Sequence, residues 1–188
     1  MPPGRGVSWS CLGRNRGAID TIKDVSRIHL LYTAPSAIRC VLPMRLTAFT
    51  DYSLRVLIYL ALSGEQNTTI AQIAQSYGIS KNHLMKVVQE LNQKGYLIAL
   101  RGKNGGLRLS RPPSDINIGE LVRAMERDLA MAECFGKNNQ CVLTPACYLP
   151  ILFTEALEAF FAVLDAYTLE DILPGRQRRE LVKILNIV

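Results

Sequence analysis

Apolar positions recur every three or four residues through most of the chain after residue 44, which is the spacing of amphipathic helices. This spacing predicts a first helix over residues 47–62, with Gly64 shortly after its end. A short second helix is predicted over 70–76, and a third helix, capped by Ser80, is predicted to reach about residue 94. The side chains of the third helix that are predicted to face the core are Leu84, Val87, Val88 and Leu91.

The pattern changes after Gly95, where a β-hairpin is predicted in place of a further helix. Residues 96–100 and 107–109 form two short apolar runs, and the glycine-rich turn 101–106 separates them. Two short helices joined through a turn at Gly78 and followed by a hairpin describe a winged helix-turn-helix. The predicted fold class is therefore mostly α, with a winged helix-turn-helix and a long C-terminal dimerisation helix.

That C-terminal part contains three predicted helices and one irregular segment. Asn117 is a suitable N-cap for a helix that runs through Arg127, and residues 129–149 are irregular. A long apolar helix is predicted over 150–166 and a short basic helix near 176–185. The long helix could serve as an ordinary core helix, but its excess of large apolar side chains favours a dimer interface. The side chains predicted to be available to a partner subunit are Ile151, Leu152, Leu157, Phe160, Phe161 and Leu164.

The pattern divides the chain into four parts. Residues 1–43 show no sustained period and are interpreted as a non-native or disordered extension, with Met44 as the natural start. The alternative is a basic arm that contacts the DNA backbone. Residues 44–127 form the predicted DNA-binding domain, 128–149 the cysteine loop, and 150–188 the dimerisation helix with the C-terminal helix.

Net charge and hydropathy say less about the fold and function of the chain than the spacing of its apolar residues does. The net charge of +6 comes from 22 basic and 16 acidic side chains, and a basic balance suggests an anionic partner. Six of the basic and two of the acidic residues fall within residues 1–43, so the rest of the chain carries only +2. The longest apolar run, from Val56 to Leu62, is far too short to span a membrane, and no apolar region of secretory type follows the basic N-terminus, so export is not expected. We therefore expect a cytoplasmic protein without a membrane segment.

Polar and basic side chains are concentrated at the two places where a winged helix contacts double-stranded DNA. The third helix begins with a polar turn suited to the major groove, where asparagine reads adenine and lysine contacts guanine or phosphate. The hairpin tip carries basic residues suited to phosphates or a narrow groove. Each motif alone is more often a plain cap or turn, but their order and spacing together favour DNA binding. The predicted DNA-binding residues are Ser80, Lys81, Asn82, His83, Lys86, Arg101, Lys103 and Arg108.

Three of the five cysteines, Cys134, Cys141 and Cys147, lie within fourteen positions of the irregular segment. Thiolates on such a loop can bind a soft metal centre, although the Cys-x6-Cys-x5-Cys spacing matches neither common zinc nor ferredoxin motifs. A fourth ligand is missing, because the two histidines, His29 and His83, are far away in sequence. A metal or iron–sulfur site is favoured over packed thiols and over a disulfide or thiol switch, and zinc remains open.

Three stretches of sequence carry a family resemblance: LTAFTDYSLR near the start of the first helix, RGKNGG in the hairpin, and the three-cysteine loop. Over residues 44–188 the chain resembles the NsrR/IscR-type winged-helix regulators. The IscR branch has a histidine ligand three residues after its last cysteine, where this chain has Pro150. The resemblance is closer to the nitric-oxide-sensing branch, in which the aspartate of the FTDY motif, Asp51 here, is a ligand, with Arg55 beside it.

The resemblance implies a homodimeric transcriptional repressor, and not an enzyme, that binds a palindromic operator and controls nitrosative-stress genes. It implies a 2Fe–2S or 4Fe–4S cluster held by Cys134, Cys141, Cys147 and the partner subunit's Asp51. Nitric oxide is expected to act on the cluster, free the loop and shift the dimer away from its DNA-bound state. Two alternatives stay open: a zinc-binding or thiol-switch regulator that responds to another redox signal, and an iron–sulfur electron carrier or enzyme. The second leaves the winged helix unexplained.

Overall fold

The fold is seen in a computed structural model that describes residues 45–102, 105–136 and 138–187. The interpretation of residues 1–43 and the prediction for Lys103 lie outside these residues. None of the helices in the described part is long and apolar enough to cross a membrane. The helices and strands in chain order are α1 (Ala48–Ser63), α2 (Ile70–Tyr77), α3 (Lys81–Gln93), β1 (Leu97–Leu100), β2 (Gly106–Leu109), α4 (Ile118–Met125), α5 (Leu149–Asp165) and α6 (Gly175–Ile184).

Helix α1 is the central element of the core. Thr47 is its N-cap and accepts a hydrogen bond from the Thr50 backbone N–H, and Gly64 ends it with φ of 64°. Val56 and Leu57 are fully buried, as expected for the face of a helix that packs on several neighbours. The first predicted helix is therefore confirmed with its boundaries shifted by one residue.

Helices α2 and α3 form the helix-turn-helix that the sequence predicts. Thr69 and Gln72 form a capping box at the start of α2, so two backbone N–H groups that the helix leaves free are satisfied. Gly78 adopts the left-handed conformation between the helices, with φ of 63°. Ser80 occupies the N-cap position of α3, but its side chain makes no capping hydrogen bond, in contrast to the prediction. The four predicted core residues of α3 are all buried.

The hairpin forms the wing, and it is fixed to the helix-turn-helix by the chain between α1 and α2. Strands β1 and β2 are antiparallel, with Leu97 opposite Leu109. Thr68 forms a bridge with Leu107, exchanging two backbone hydrogen bonds of 2.7 and 3.2 Å. A side chain at Gly106 would lie 2.9 Å from the Asn67 Cβ, so a glycine is needed for this close approach.

Helix α4 is shorter than predicted. Asn117 caps it as expected, accepting a hydrogen bond from the Glu120 backbone N–H, but the helix ends at Met125 and not at Arg127. Glu126 already has extended backbone angles. The irregular segment that follows contains two short 3-10 turns, Glu133–Phe135 and Thr144–Ala146.

Helix α5 has one face packed on its own chain and one face exposed. Phe161 is buried against α4, and the Arg123 guanidinium lies 4.0 Å from the centre of its ring. Arg123 also forms a two-pronged ion pair with Asp165, with distances of 2.6 and 2.7 Å. Phe161 is therefore not available to a partner, in contrast to the prediction. The large apolar side chains that α5 and the residue before it expose are Tyr148, Leu149, Ile151, Leu152 and Val163.

Helix α6 is held against the DNA-binding part of the chain. The Arg178 guanidinium donates to the Ala61 carbonyl of α1 at 2.9 Å. The Ser76 hydroxyl of α2 donates to the Leu185 carbonyl at 2.8 Å. These contacts close the fold by bringing the C-terminal helix back to the helix-turn-helix.

Candidate DNA-binding and cluster-binding sites

Helix α3 separates its core residues from its polar residues. Leu84 and Val87 are buried against the core and fix the helix, whereas Lys81, Asn82 and His83 at its first turn are exposed. Because the N-terminal residues of a recognition helix reach the base edges, this geometry suits the major groove. Two further predicted DNA-binding residues of this region, Ser80 and Lys86, are also exposed.

One exposed side chain of this helix was not predicted as a contact. Met85 is 44% exposed and lies between the predicted residues His83 and Lys86. Thymine methyl groups are the apolar features of the major groove, so an exposed methionine on this turn is a candidate to contact them. The sequence signal was the single break in the apolar spacing of α3, since Met85 falls outside the inward series.

The wing arginines differ in their surroundings. Arg101 is exposed at the start of the turn, as a phosphate contact requires. Arg108 is half-buried on β2 opposite Ile98, and it lines a cavity of about 810 Å³ together with Arg111 and Arg178. The fold therefore brings Arg108 to other arginines at the base of the wing, whereas Arg101 stands at its tip.

Asp51 lies in the first turn of α1 and is held by Arg55 one turn later. The Arg55 guanidinium contacts both carboxylate oxygens, at 2.8 and 3.1 Å, and Asp51 remains 44% exposed. The same guanidinium lies 5.9 Å from the ring centres of Tyr52 and Tyr77. Asp51 is therefore an oriented and accessible carboxylate. This geometry fits an ordinary ion pair at a helix N-terminus, and it equally fits a ligand to a cluster that the partner subunit's cysteines would hold.

Tyr77 connects this ion pair to the helix-turn-helix. Its hydroxyl donates to the Arg55 carbonyl at 3.1 Å, and its ring packs edge-on to Tyr59. Burial raises the pKa of Tyr77 to about 12, although the charge of Arg55 opposes the shift. The hydroxyl therefore stays protonated at neutral pH and keeps donating. Tyr77 is the last residue of α2 and directly precedes the turn that leads to α3. Its side chain therefore connects that turn to Arg55, the partner of Asp51.

The three loop cysteines are half-buried and free of disulfide bonds. Cys134 lies in the first 3-10 turn, and Cys147 follows the second. Cys141 lies between them, where its backbone N–H donates to the Asn139 side chain at 3.0 Å. Among the described residues no three His, Cys, Asp or Glu side chains come together closely enough to hold a metal ion. Within one chain, the fold thus places the cysteines on one loop without gathering them.

As a donor set, these three thiols fit a soft metal or an iron–sulfur cluster. Thiolates are the ligands that such centres prefer, and accessible cysteines outside disulfides can supply them. Polar side chains of the loop form hydrogen bonds within it, such as Glu133, which accepts from the Gln140 backbone N–H at 3.0 Å. Val142 and Leu143, which follow Cys141, are exposed, whereas Phe135 beside Cys134 packs on Phe153 of α5 with 6.4 Å between the ring centres. Apolar packing therefore constrains the loop near Cys134 and not at the two residues after Cys141.

Comparison with known proteins identifies the family. Residues 46–175 match the Rrf2 family, which is described as iron-dependent transcriptional regulators. The chain belongs to the Rrf2 family. It is 51% identical over 147 residues to the HTH-type transcriptional regulator NsrR of Bacillus subtilis strain 168, a match that covers 77% of this chain and 99% of that protein. It is 50% identical over 143 residues to the NsrR of Geobacillus kaustophilus, covering 74% and 97% respectively.

Solved structures agree with this assignment. The global cysteine regulator CymR of Bacillus subtilis is 28% identical and superposes with a TM-score of 0.54, covering 69% of this Rrf2-family chain and 95% of that chain. IscR of T. potens is 25% identical with a TM-score of 0.54, covering 70% and 87%. The mostly helical winged-helix fold is thereby confirmed, and so is the expectation that the protein is a transcriptional regulator and not an enzyme.

Proposed function

We propose that this Rrf2-family regulator is a cytoplasmic, homodimeric repressor that senses nitric oxide through an iron–sulfur cluster and controls nitrosative-stress genes. The observation that carries the proposal is the group of three free, accessible cysteines on the loop that joins the winged helix to α5. The approximately 50% identity to regulators named NsrR supports the choice of signal.

DNA recognition is assigned to α3 and the wing. Asn82 and Lys86 are exposed on α3, whose buried face fixes it, and they are assigned to base edges. Arg101 is exposed at the start of the wing turn and is assigned to phosphates. A two-fold symmetric dimer requires a palindromic operator with half-sites roughly 34–36 Å apart, or a multiple of this distance.

The exposed face of α5 supports the dimer. Leu149, Ile151 and Leu152 are each close to half exposed along its first turns, and Val163 is 43% exposed near its end. Several large apolar side chains exposed along one helix of a small protein favour an interaction site. A partner copy placed along this helix buries these side chains and sets the distance between the two recognition helices.

The cluster ligands in this proposal are Cys134, Cys141 and Cys147, with the partner subunit's Asp51 as the fourth. When bound, the cluster supplies the iron atoms with which nitric oxide reacts. Asp51 is a harder donor than the cysteines, so it is the ligand most easily given up. Arg55 already holds the free carboxylate, and it therefore offers Asp51 an alternative partner when the ligand bond is lost.

This ligand set can be tested by replacing each cysteine with alanine and measuring metal content, visible absorbance and operator affinity. The Cys134→Ala, Cys141→Ala and Cys147→Ala proteins are expected to lose the cluster absorbance and to lose repression. Cys11→Ala and Cys40→Ala serve as controls and are expected to keep both. Loss of the cluster only in the control proteins would overturn the assignment, and a colourless wild-type protein that contains zinc would favour the zinc alternative.

A further inference from the structure

Glu126 holds together two parts of the chain that are far apart in sequence. One carboxylate oxygen, Oε2, accepts three hydrogen bonds from the start of α1. The donors are the Thr47 backbone N–H at 3.1 Å, the Thr47 hydroxyl at 3.2 Å and the Thr50 hydroxyl at 2.7 Å. Charge-assisted hydrogen bonds are the strong ones, and a carboxylate at a helix N-terminus also interacts favourably with the helix dipole.

The two parts that Glu126 joins are those to which the proposed ligands belong. Thr47 caps α1, whose first turn carries Asp51. Glu126 directly follows the last residue of α4, and the segment with the three cysteines begins two residues later. A second contact joins the same two parts of the chain: the Arg127 guanidinium lies 5.6 Å from the centre of the Phe49 ring. The base of the cysteine loop is thus fastened to the Asp51 end of α1.

Helix α3 borders the same junction. A cavity of about 490 Å³ is lined by Thr47 and Phe49 from the start of α1 and by Arg127 from the base of the cysteine loop. Its other lining residues are Met125 of α4 and four residues of α3, among them Lys86 and Gln89. A displacement of the loop base or of the α1 N-terminus therefore changes the support beside a predicted DNA contact.

We propose that Glu126 is a positioning residue that couples the state of the cysteine loop to the recognition helix. It does so by keeping the Asp51 end of α1 and the base of the loop in one rigid junction against α3. This inference rests on the proposed function, since it assigns a role within cluster sensing. A purely structural role would require only the stability of the fold to depend on the hydrogen bonds of Glu126. The positioning role also requires the effect of the cluster on operator affinity to depend on them.

The test uses two variants that break the junction and two matched controls. Glu126→Ala removes the acceptor, and Thr50→Val removes the donor of the 2.7 Å bond while keeping the shape of a fully buried side chain. Thr50→Ser keeps the hydroxyl and is the conservative control. Glu120→Ala removes an exposed carboxylate from the same helix without touching the junction.

Two measurements are made on each full-length protein. The first is amide hydrogen exchange at the first turn of α1 in the cluster-free form, which reports on the junction without any cluster. We expect the Thr50 and Asp51 amides to exchange about fivefold faster in Glu126→Ala and in Thr50→Val, and at the wild-type rate in both controls. The second is the ratio of operator affinities of the cluster-loaded and cluster-free forms. We expect this ratio to fall at least about fivefold in the two junction variants and to be retained in the controls.

The outcomes separate this inference from the proposed function. Unchanged exchange in Glu126→Ala and Thr50→Val would show that the junction is not formed and would overturn the inference. Faster exchange with a wild-type affinity ratio would make Glu126 merely structural and would also overturn it. A wild-type protein whose operator affinity is the same with and without the cluster would instead overturn the proposed function, independently of the exchange result.

Discussion

The two faces of α3 allow stability and recognition to be perturbed separately on one helix. Leu84 and Asn82 are two positions apart, yet Leu84 is fully buried and Asn82 is exposed. We predict that Leu84→Ala destabilises the fold strongly, whereas Asn82→Ala changes DNA binding and leaves the fold almost unaffected.

The magnitudes follow from burial. Leu84→Ala removes buried side-chain atoms and leaves a cavity in a core that includes Ile73 and Leu91. Such large-to-small substitutions in a core lower the free energy of unfolding by about 2–5 kcal/mol. Asn82 has no buried surface to lose, so its replacement is expected to change the free energy of unfolding by less than about 0.5 kcal/mol. If Asn82 makes a two-bond contact with adenine, its loss removes roughly 1–3 kcal/mol of discrimination between operator and altered sequence.

The assay has two parts. Urea unfolding of wild type, Leu84→Ala and Asn82→Ala gives the free energies of unfolding, and fluorescence anisotropy gives the affinity for the operator and for scrambled DNA. Asn82→Ala is expected to weaken operator binding much more than binding to scrambled DNA. Equal losses on both DNAs, or a destabilisation by Asn82→Ala as large as that by Leu84→Ala, would refute the division of α3 into a core face and a reading face.

Four further predictions concern the wing, the cluster ligands and an ion pair. Arg101→Ala should weaken binding to all sequences alike and reduce the salt slope of binding by about one, which a salt titration measures. Cys134→Ala should yield protein without visible cluster absorbance, whereas Cys40→Ala should keep the wild-type spectrum. Asp51→Ala should remain folded but show a shifted spectrum and a smaller affinity ratio between cluster-loaded and cluster-free forms; an unchanged spectrum and ratio would remove Asp51 from the site. The two hydrogen bonds from Arg123 lower the pKa of Asp165, so the stability that this pair contributes is present above the unfolded pKa and is lost as pH falls through the folded pKa; Asp165→Asn should therefore flatten the pH dependence of unfolding in acid.

The elements that follow from local patterns could be predicted from the sequence. The spacing of Leu84 to Leu91 and the glycine at position 78 define the helix-turn-helix, because both effects act within a few residues. The helix end at Met125 was placed two residues too late. Glu126 has ordinary helix propensity, so no local signal marks the helix end. Its backbone is extended, and its side chain bonds to Thr47 and Thr50, 79 and 76 positions earlier, which are contacts that local patterns do not reveal.

The residues of the candidate sites also divide into those that the sequence reveals and those that depend on tertiary packing. The cysteines and the exposed residues of α3 were found because their chemistry is visible in the sequence. The burial of Phe161 was not, since it depends on packing against α4 and on Arg123, which is 38 positions away. Apolar spacing identifies the large apolar side chains of α5, but it does not show which of them the chain covers by itself and which it leaves exposed.

The central claim is that nitric oxide controls DNA binding through a cluster on the cysteine loop. The most direct test is an anaerobic titration of the purified protein with nitric oxide, with the visible spectrum and the anisotropy of labelled operator DNA recorded on the same sample. We expect a coloured protein whose spectrum changes and whose operator is released over the same range of added nitric oxide. A protein that is colourless, or one that keeps its operator after the spectrum has changed completely, would contradict it.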